Sequence, residues 1–376
     1  MDTSTELWRW AEIDLDSLIH NVRVIRQHLQ AGTQFMAVVK RNAYGHGMVP
    51  VARAAVAAGA DYLGVHSLEE GIELREANLN HPILVMGYFP PKEAYEAISK
   101  HLISTVVEPE LAIALDKAAH DIDTIAQVHV KVDTGIHRYG ATVEEATKLL
   151  HFLSYLRHLR VTGLYTHFSS ADEPQKRLTE VQLEKFLRFA AAFPQVNFLH
   201  AANSAATLRF PKTHLNLVRT GLAMYGLYPF RKIETDVQLR PVLSVKARVI
   251  RLHQLKPGDG VSYGLSWVSE KDALVALVYL GYGDGLSRLL SNRGEFIIHG
   301  QRVPIRGNIC MDQCIVEVTT VPRVKVSDEV VFIGRQGTEE ITVDEVAGWM
   351  GTISYEVVSG ISARLPRIYS RNRPNT

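Results

Sequence analysis

The chain has 376 residues, and its 41 Lys and Arg nearly balance 40 Asp and Glu. That length predicts two domains, and the balance gives no reason to expect nucleic acid or an anionic membrane as a partner. Hydrophobic residues make up 46% and charged residues 22%, the composition of a globular, enzyme-sized protein. No run of roughly 18 apolar residues occurs, and the N-terminal stretch has no basic region followed by an apolar one, so neither a membrane span nor a signal peptide is expected. Two cysteines, Cys310 and Cys314, make neither a disulfide framework nor a zinc signature, so a reducing cytoplasm and no metal are expected.

Taken in order, the first half alternates short apolar runs with helical segments. The runs are FMAVVK (35–40), YLGVH (62–66), ILVMG (83–87), STVV (104–107), VHVKVD (128–133), GLYTH (163–167), NFLHAAN (197–203) and LNLVRTG (215–221). Continuous apolar strands joined by helices such as VARAAVAAG and EVQLEKFLRFAAAF indicate a parallel sheet covered on both faces. Eight βα units predict a (β/α)8 barrel, whereas the common doubly wound forms have six strands and leave two units over. After about residue 230 the character changes. PVLSVKARVIRLHQL, DALVALVYLG, EFIIHGQRVPIRG, CIVEVT and EVVFIG are rich in β-branched residues and broken by KPGDG, GYGDG and SNRG, which predicts an all-β domain. A helical pattern returns only at VDEVAGWMG, and the basic tail is expected to be loose at its last few residues. The α/β barrel is therefore assigned to residues 1–234 and the β-strand-rich domain to residues 235–376.

The active site of such a barrel lies at the C-terminal ends of its strands. The first strand ends in Lys40, with Tyr44 in the turn that follows. The fifth ends in KVDTGIHRYG, with Lys131, Asp133 and Arg138. The sixth ends in Thr166 and His167, the seventh in Asn203 and Ser204, and the eighth in Arg219, Thr220 and Gly221. Each has an ordinary reading: Lys40 snorkelling to water, His167 a satisfied histidine, Asn203-Ser204 a helix cap. Together they place a lysine, a histidine, two arginines, hydroxyls and glycines at one mouth. Loops after the seventh and eighth strands often form a phosphate site, for which Ser204, the Gly221 N–H and Tyr44 are suitable donors. A phosphate beside a desolvated lysine suggests pyridoxal 5'-phosphate held as a Schiff base on Lys40.

Seven blocks in order, AVVKRNAYGHG, KVDTGIHRYG, GLYTHFSSAD, NLVRTGLAMYG, VSYGLSW, GNICMDQ and YEVVSGISARLPRIY, resemble the alanine racemase family over nearly the whole chain. The resemblance implies a pyridoxal-phosphate isomerase that interconverts L-alanine and D-alanine and supplies D-alanine for peptidoglycan. It also implies a homodimer in which each β-domain contributes to the partner's active site. Lys40 would be the base on the D-alanine side, and Tyr263 of the other subunit the base on the L-alanine side. Removing a proton from one face and returning it to the other is natural for two opposed bases. An ordinary phenol ionises near pH ~10, and the family assists its tyrosine through a histidine and an arginine, here His167 and Arg219.

By the same resemblance Arg219 would face the cofactor's ring nitrogen, with His167 and Asn203 near the cofactor. Tyr44, Ser204, Gly221, Leu222 and Tyr355 would hold its phosphate. Arg138 and the N–H of Met311 would bind the substrate carboxylate. Lys131 occupies the place of a lysine that many relatives carbamylate, and Asp312 would order the borrowed loop. Two departures stand out: Asn308 where relatives often have arginine, and Ile136, His137 and Tyr139 around Arg138. Both leave the preferred amino acid open, so a serine or broad-specificity racemase is an alternative. A decarboxylase of similar architecture typically has a glycine-triplet loop and a CESCD-like segment, and neither occurs here. A non-catalytic carrier would resemble the barrel alone and lack the β-domain.

Overall fold

A computed structural model describes residues 7–173, 176–196, 198–230 and 235–371. The expected first residue of the seventh strand (Asn197), the expected boundary at residue 234 and the last residues of the tail lie outside these. The described chain forms two compact units.

The first strand of the chain, β1 (Arg9–Asp14), is followed by the helix Leu15–His28 and then by the eight strands of the barrel. These are β2 (Gln34–Val38), β3 (Tyr62–Val65), β4 (Ile83–Val85), β5 (Ile103–Val106), β6 (Ala126–Lys131), β7 (Leu159–Tyr165), β8 (Phe198–His200) and β9 (Leu217–Thr220). All eight expected runs are strands, and every pairing among them is parallel. The order β8-β7-β6-β5-β4-β3-β2-β9 brings the last two strands side by side. There Asn216 N–H donates to Leu199 C=O at 3.2 Å and Arg219 N–H to Ala202 C=O at 3.0 Å, so the barrel closes. Met36, Tyr62, Leu84, Ile103 and Leu217 form a buried apolar cluster of side chains from five strands. Toward the C-terminal ends the buried side chains become polar: His129, Lys131, Thr166, His200 and Arg219. An apolar floor beneath a polar layer is the arrangement a barrel active site needs.

Among the described residues the other unit comprises 7–16, 44–47 and 242–371. Its organising strand is β10 (Leu243–Leu255), whose burial alternates over its first half as expected for a sheet packed on one face. It pairs antiparallel with β1, with Ala273–Val278 and with Glu329–Gln336. On its other edge β1 pairs in parallel with Arg367–Ser370. This division differs from the expected single cut near residue 234. Residues 9–14 supply a strand to the β unit, because the apolar side chains Trp10, Ala11 and Ile13 are buried there and the backbone pairs on both edges.

The turn after Lys40 departs furthest from what the sequence suggests. Arg41, Asn42, Ala43 and Tyr44 all have φ between 52° and 55°, a turn of left-handed helix made without glycine. Such a conformation costs about 1–2 kcal/mol per residue and persists only where neighbouring structure over-determines it. Ala43 N–H donates to Val39 C=O at 2.8 Å, and Met48 N–H donates to Asn42 Oδ1 at 2.8 Å. At the end of the turn Gly45, φ 84°, lies so close to Val358 that a Cβ would stand 2.2 Å from its carbonyl oxygen.

Candidate active site

Lys40 stands two residues past the end of β2, at the mouth of the barrel. Burial, reinforced by the Arg138 guanidinium, lowers the pKa of its amine. Lys131 ends β6 and is more deeply set. Burial and the charges of Arg219, Arg138 and Lys40 push it down to about 7, so this amine is close to half neutral near physiological pH. Its Nζ stands 5.3 Å from the Tyr139 ring centroid and 5.5 Å from that of Tyr165.

Arg138 is carried by a loop that Asp133 organises. Burial works to raise the Asp133 pKa. Backbone N–H groups from Gly135, His137, Arg138 and Ile136 outweigh it and hold the carboxylate below its usual range. The Gly135 N–H lies 2.8 Å from Oδ1 and the Arg138 N–H 3.2 Å from Oδ2. Thr134 and Thr166 share a hydrogen bond of 2.7 Å, and Gln182 ties Thr134 to the carbonyl of His167.

Arg219, near the end of β9, is buried and only donates. Its guanidinium reaches Thr166 C=O at 2.7 Å, Ala201 C=O at 3.1 Å, His167 Nδ1 at 3.3 Å and His200 Nδ1 at 3.1 Å. No carboxylate is among these partners. Burial lowers its pKa to about 10 yet leaves it a cation at neutral pH. Because arginine must donate, His200 Nδ1 accepts, so its proton sits on Nε2 and points to His129 Nδ1, 2.9 Å away. His129 therefore keeps its own proton on Nε2, a buried atom without a partner among the described residues. Burial and the Arg219 charge hold both rings neutral, His129 down at about 3. The same causes lower His167 well below its ordinary value. Tyr165 stacks on His200 with centroids 4.6 Å apart. Gly163 makes room for the pair, since a Cβ there would stand 2.7 Å from the His129 ring.

Asn203 caps the short helix Ser204–Arg209, its Oδ1 accepting from Ala206 N–H at 3.0 Å. The Ser204 hydroxyl accepts from Gly221 N–H at 3.0 Å and from Ala223 N–H at 3.3 Å. Two of the five residues expected to hold a phosphate, Ser204 and Gly221, are thus joined to each other, and Leu222, next to Gly221 in sequence, is buried.

Within the β unit, Tyr44 and Tyr355 face each other with ring centroids 6.2 Å apart. Tyr263 is 75% exposed, in a turn whose Ser262 has φ 62°. Asn308, flagged above only as a departure, donates from its side-chain amide to the Tyr263 carbonyl at 2.7 Å. Met311 is 53% exposed. Its carbonyl accepts from Gly283 N–H at 2.8 Å, and Asp312 pairs with Arg364 at 2.5 Å. Arg364 also pairs at 3.0 Å with the buried Asp284, which Arg9 meets from another side at 3.2 Å.

The two halves of the chain match two successive family models: "Alanine racemase, N-terminal domain" over residues 13–229 and "Alanine racemase, C-terminal domain" over residues 242–369. The chain belongs to the alanine racemase family. The alanine racemase of Desulfovibrio desulfuricans is 43% identical over 367 residues, which cover 96% of this chain and 97% of the relative. Among solved structures, the alanine racemase of Clostridium difficile 630 superposes with a TM-score of 0.93 at 35% identity, covering 97% of this chain and 96% of that one. The alanine racemase of Bartonella henselae, solved with covalently bound pyridoxal phosphate, gives 0.88 at 27% identity over 97% of this chain and all of that one. Membership makes this protein an amino-acid racemase, an isomerase that depends on pyridoxal phosphate.

The residues present fit that cofactor. Lys40, Lys131, Arg138 and Arg219 all bear electrostatically on His167, a concentration of positive charge that suits an anionic ligand. The Thr220 hydroxyl, between Arg219 and Gly221 in sequence, is buried without a hydrogen-bond partner among the described residues. An amine with a lowered pKa at Lys40 suits attack on an aldehyde.

Several residues of this site escaped the sequence reading: His129, Tyr165, His200 and Glu70, whose carboxylate bears on Lys40. The signal for two of them was a period of two. His129 shares a strand face with Lys131, and Tyr165 continues toward His167. Nothing comparable marked His200 or Glu70.

Proposed function

We propose that this protein interconverts L-alanine and D-alanine by a two-base mechanism, supplying D-alanine for peptidoglycan, and that it works in the reducing cytoplasm as a homodimer. Among the described residues no helix is long and apolar enough to cross a membrane, and both cysteines are free thiols. The observation that carries the reading is the crowd of cations around His167, which includes a desolvated Lys40 and a buried Arg219 bonded, among the described residues, to neutral acceptors.

Pyridoxal phosphate, when bound, supplies an electron sink that lowers the cost of taking a proton from the substrate Cα. Lys40 would hold it, and Tyr44, Ser204, Gly221, Leu222 and Tyr355 would surround its phosphate. Arg138 and the Met311 N–H of a second copy would bind the alanine carboxylate and orient Cα. The Lys40 amine then takes or returns the proton on the D-alanine side, and the Tyr263 phenol of the second copy does so on the other. His167 and Arg219 would assist that phenol, and Asp312 would order the loop bearing Met311. A guanidinium that can only donate keeps a basic ring nitrogen beside it unprotonated, which weakens the sink and limits side reactions. The neutral fraction of the Lys131 amine is the state that combines with carbon dioxide, and as a carbamate it would accept from Arg138 and fix it.

The test is an absorption spectrum of the purified protein before and after borohydride, with L-alanine turnover followed in the same sample. A cofactor band fixed by borohydride to the peptide carrying Lys40, together with D-alanine formation, is the expected result. A band without turnover would move the substrate to another small amino acid. No band after reconstitution would overturn the reading.

A further inference from the structure

We propose that Glu70 is a positioning residue for Lys40: its carboxylate ties the left-handed turn that follows the lysine to the helix Leu68–Glu76, and so fixes where the amine is presented. The inference rests on the reading of Lys40 as the cofactor-bearing lysine.

Glu70 sits at the third position of that helix and completes a capping box with Ser67. That duty occupies one carboxylate oxygen. Oε2 accepts from His66 N–H at 2.8 Å and from Ser67 N–H at 3.2 Å. Nothing about capping requires the second oxygen, which in an ordinary box is left to water. Here Oε1 accepts from the Arg41 N–H at 2.5 Å, 29 residues away in the chain. Arg41 begins the left-handed run, and the opening amides of any helical turn lack partners inside it. The run therefore starts from an amide pinned by Glu70, one residue past Lys40. One side chain thus joins the end of β2 to the loop after β3. The same carboxylate opposes the cationic surroundings of Lys40, where Arg138 and Arg41 act in the other direction.

The experiment compares Glu70→Ala and Glu70→Gln with Ser67→Ala in the full-length protein. Ser67→Ala removes the other half of the same capping box and leaves the Glu70–Arg41 bond in place. Three quantities are read: affinity for pyridoxal phosphate by spectral titration, the fraction of chains fixed by borohydride at Lys40, and amide hydrogen exchange across residues 39–47 without cofactor. Losing a hydrogen bond to a charged group predicts a fall in affinity of about tenfold or more for Glu70→Ala, with faster exchange in the turn. Glu70→Gln, which keeps an acceptor for the Arg41 amide, should fall between Glu70→Ala and the unaltered protein, and it serves if the alanine variant fails to fold. Ser67→Ala should leave affinity and exchange within about twofold of the unaltered protein. If Glu70→Ala matches Ser67→Ala in affinity and exchange, the proposal is wrong. Fixation of the cofactor on a different lysine in the unaltered protein would sink the reading of Lys40 instead, and the exchange measurement would still decide whether Glu70 holds the turn.

Discussion

The mouth of the barrel and the loops of the β unit carry comparable chemistry in opposite settings. At the mouth, Arg219, His200 and His129 are buried, and directional hydrogen bonds fix the proton position on each imidazole. In the β unit, Tyr263 and Met311 are 75% and 53% exposed, and what orders their backbone is neighbouring side chains: Asn308 on the Tyr263 carbonyl, and the Asp284–Arg364–Asp312 ion pairs beside Met311. A phenol facing water has no fixed partner like those that set the proton positions at the mouth. The contrast teaches that the barrel brings its electrostatics ready-made, whereas Tyr263, in its proposed role, would need surroundings supplied by another surface. That is what a shared site in a homodimer would provide.

The sharpest way to break this comparison is to remove one proposed base from each side. Lys40→Ala should abolish both covalent retention of the cofactor and turnover. Tyr263→Phe should leave cofactor uptake intact and lower racemisation by about 10²–10⁴-fold, the range of a lost general base. Racemisation at the full rate by the phenylalanine variant would remove Tyr263 from the mechanism. Full activity in a demonstrably monomeric preparation would defeat the shared site.

The same contrast governs how much could be read from the sequence. Strands β2 to β9 were legible because parallel barrel strands are continuous apolar runs between helices. The residues at their ends were legible by position alone, which is how Lys40, Lys131, Arg138, His167 and Arg219 were found. Strand β1 was not, since its partners are remote in sequence: Ala11 lies opposite both Val245 and Arg367. Nor was the left-handed turn after Lys40, because Arg41, Asn42, Ala43 and Tyr44 carry no glycine to announce it and Glu70 holds it from outside. His200 reads as one more residue of an apolar strand until Arg219 is seen to donate to it. Tyr263 and Met311 had no physical signature of their own and entered only through family resemblance.

Lys131 tests the barrel side through pH. Its amine stands at about 7 in the folded chain, against roughly 10.4 when unfolded. Between those values the unfolded chain binds more protons, so stability rises with pH. The penalty for burying this lysine is therefore full below about pH 7, shrinks as pH climbs, and vanishes above about 10.5. Lys131→Met should stabilise the cofactor-free protein by about 2–4 kcal/mol near pH 6 and by almost nothing near pH 10. Chemical denaturation across that range measures it. A gain that does not change with pH would mean that the site is not the crowd of cations described here.

The smallest effect belongs to the β unit. Asp284 is buried between Arg9, Arg364 and the Gly281 N–H, the last at 3.1 Å. Asp284→Asn keeps the shape and removes the charge. Both arginines retain access to water, so the loss falls below that of a fully buried pair, at about 1–2 kcal/mol. Asp312 then loses the anchored half of its arginine partner, while the segment bearing Met311 keeps its backbone bonds to Tyr282 and Gly283. If the Met311 N–H binds the alanine carboxylate, KM should rise several-fold while kcat changes little, because the bases themselves are untouched. Equal losses in kcat and in kcat/KM would instead place this ion-pair network in service of Tyr263, and the β unit would then be organised around its base rather than around substrate binding.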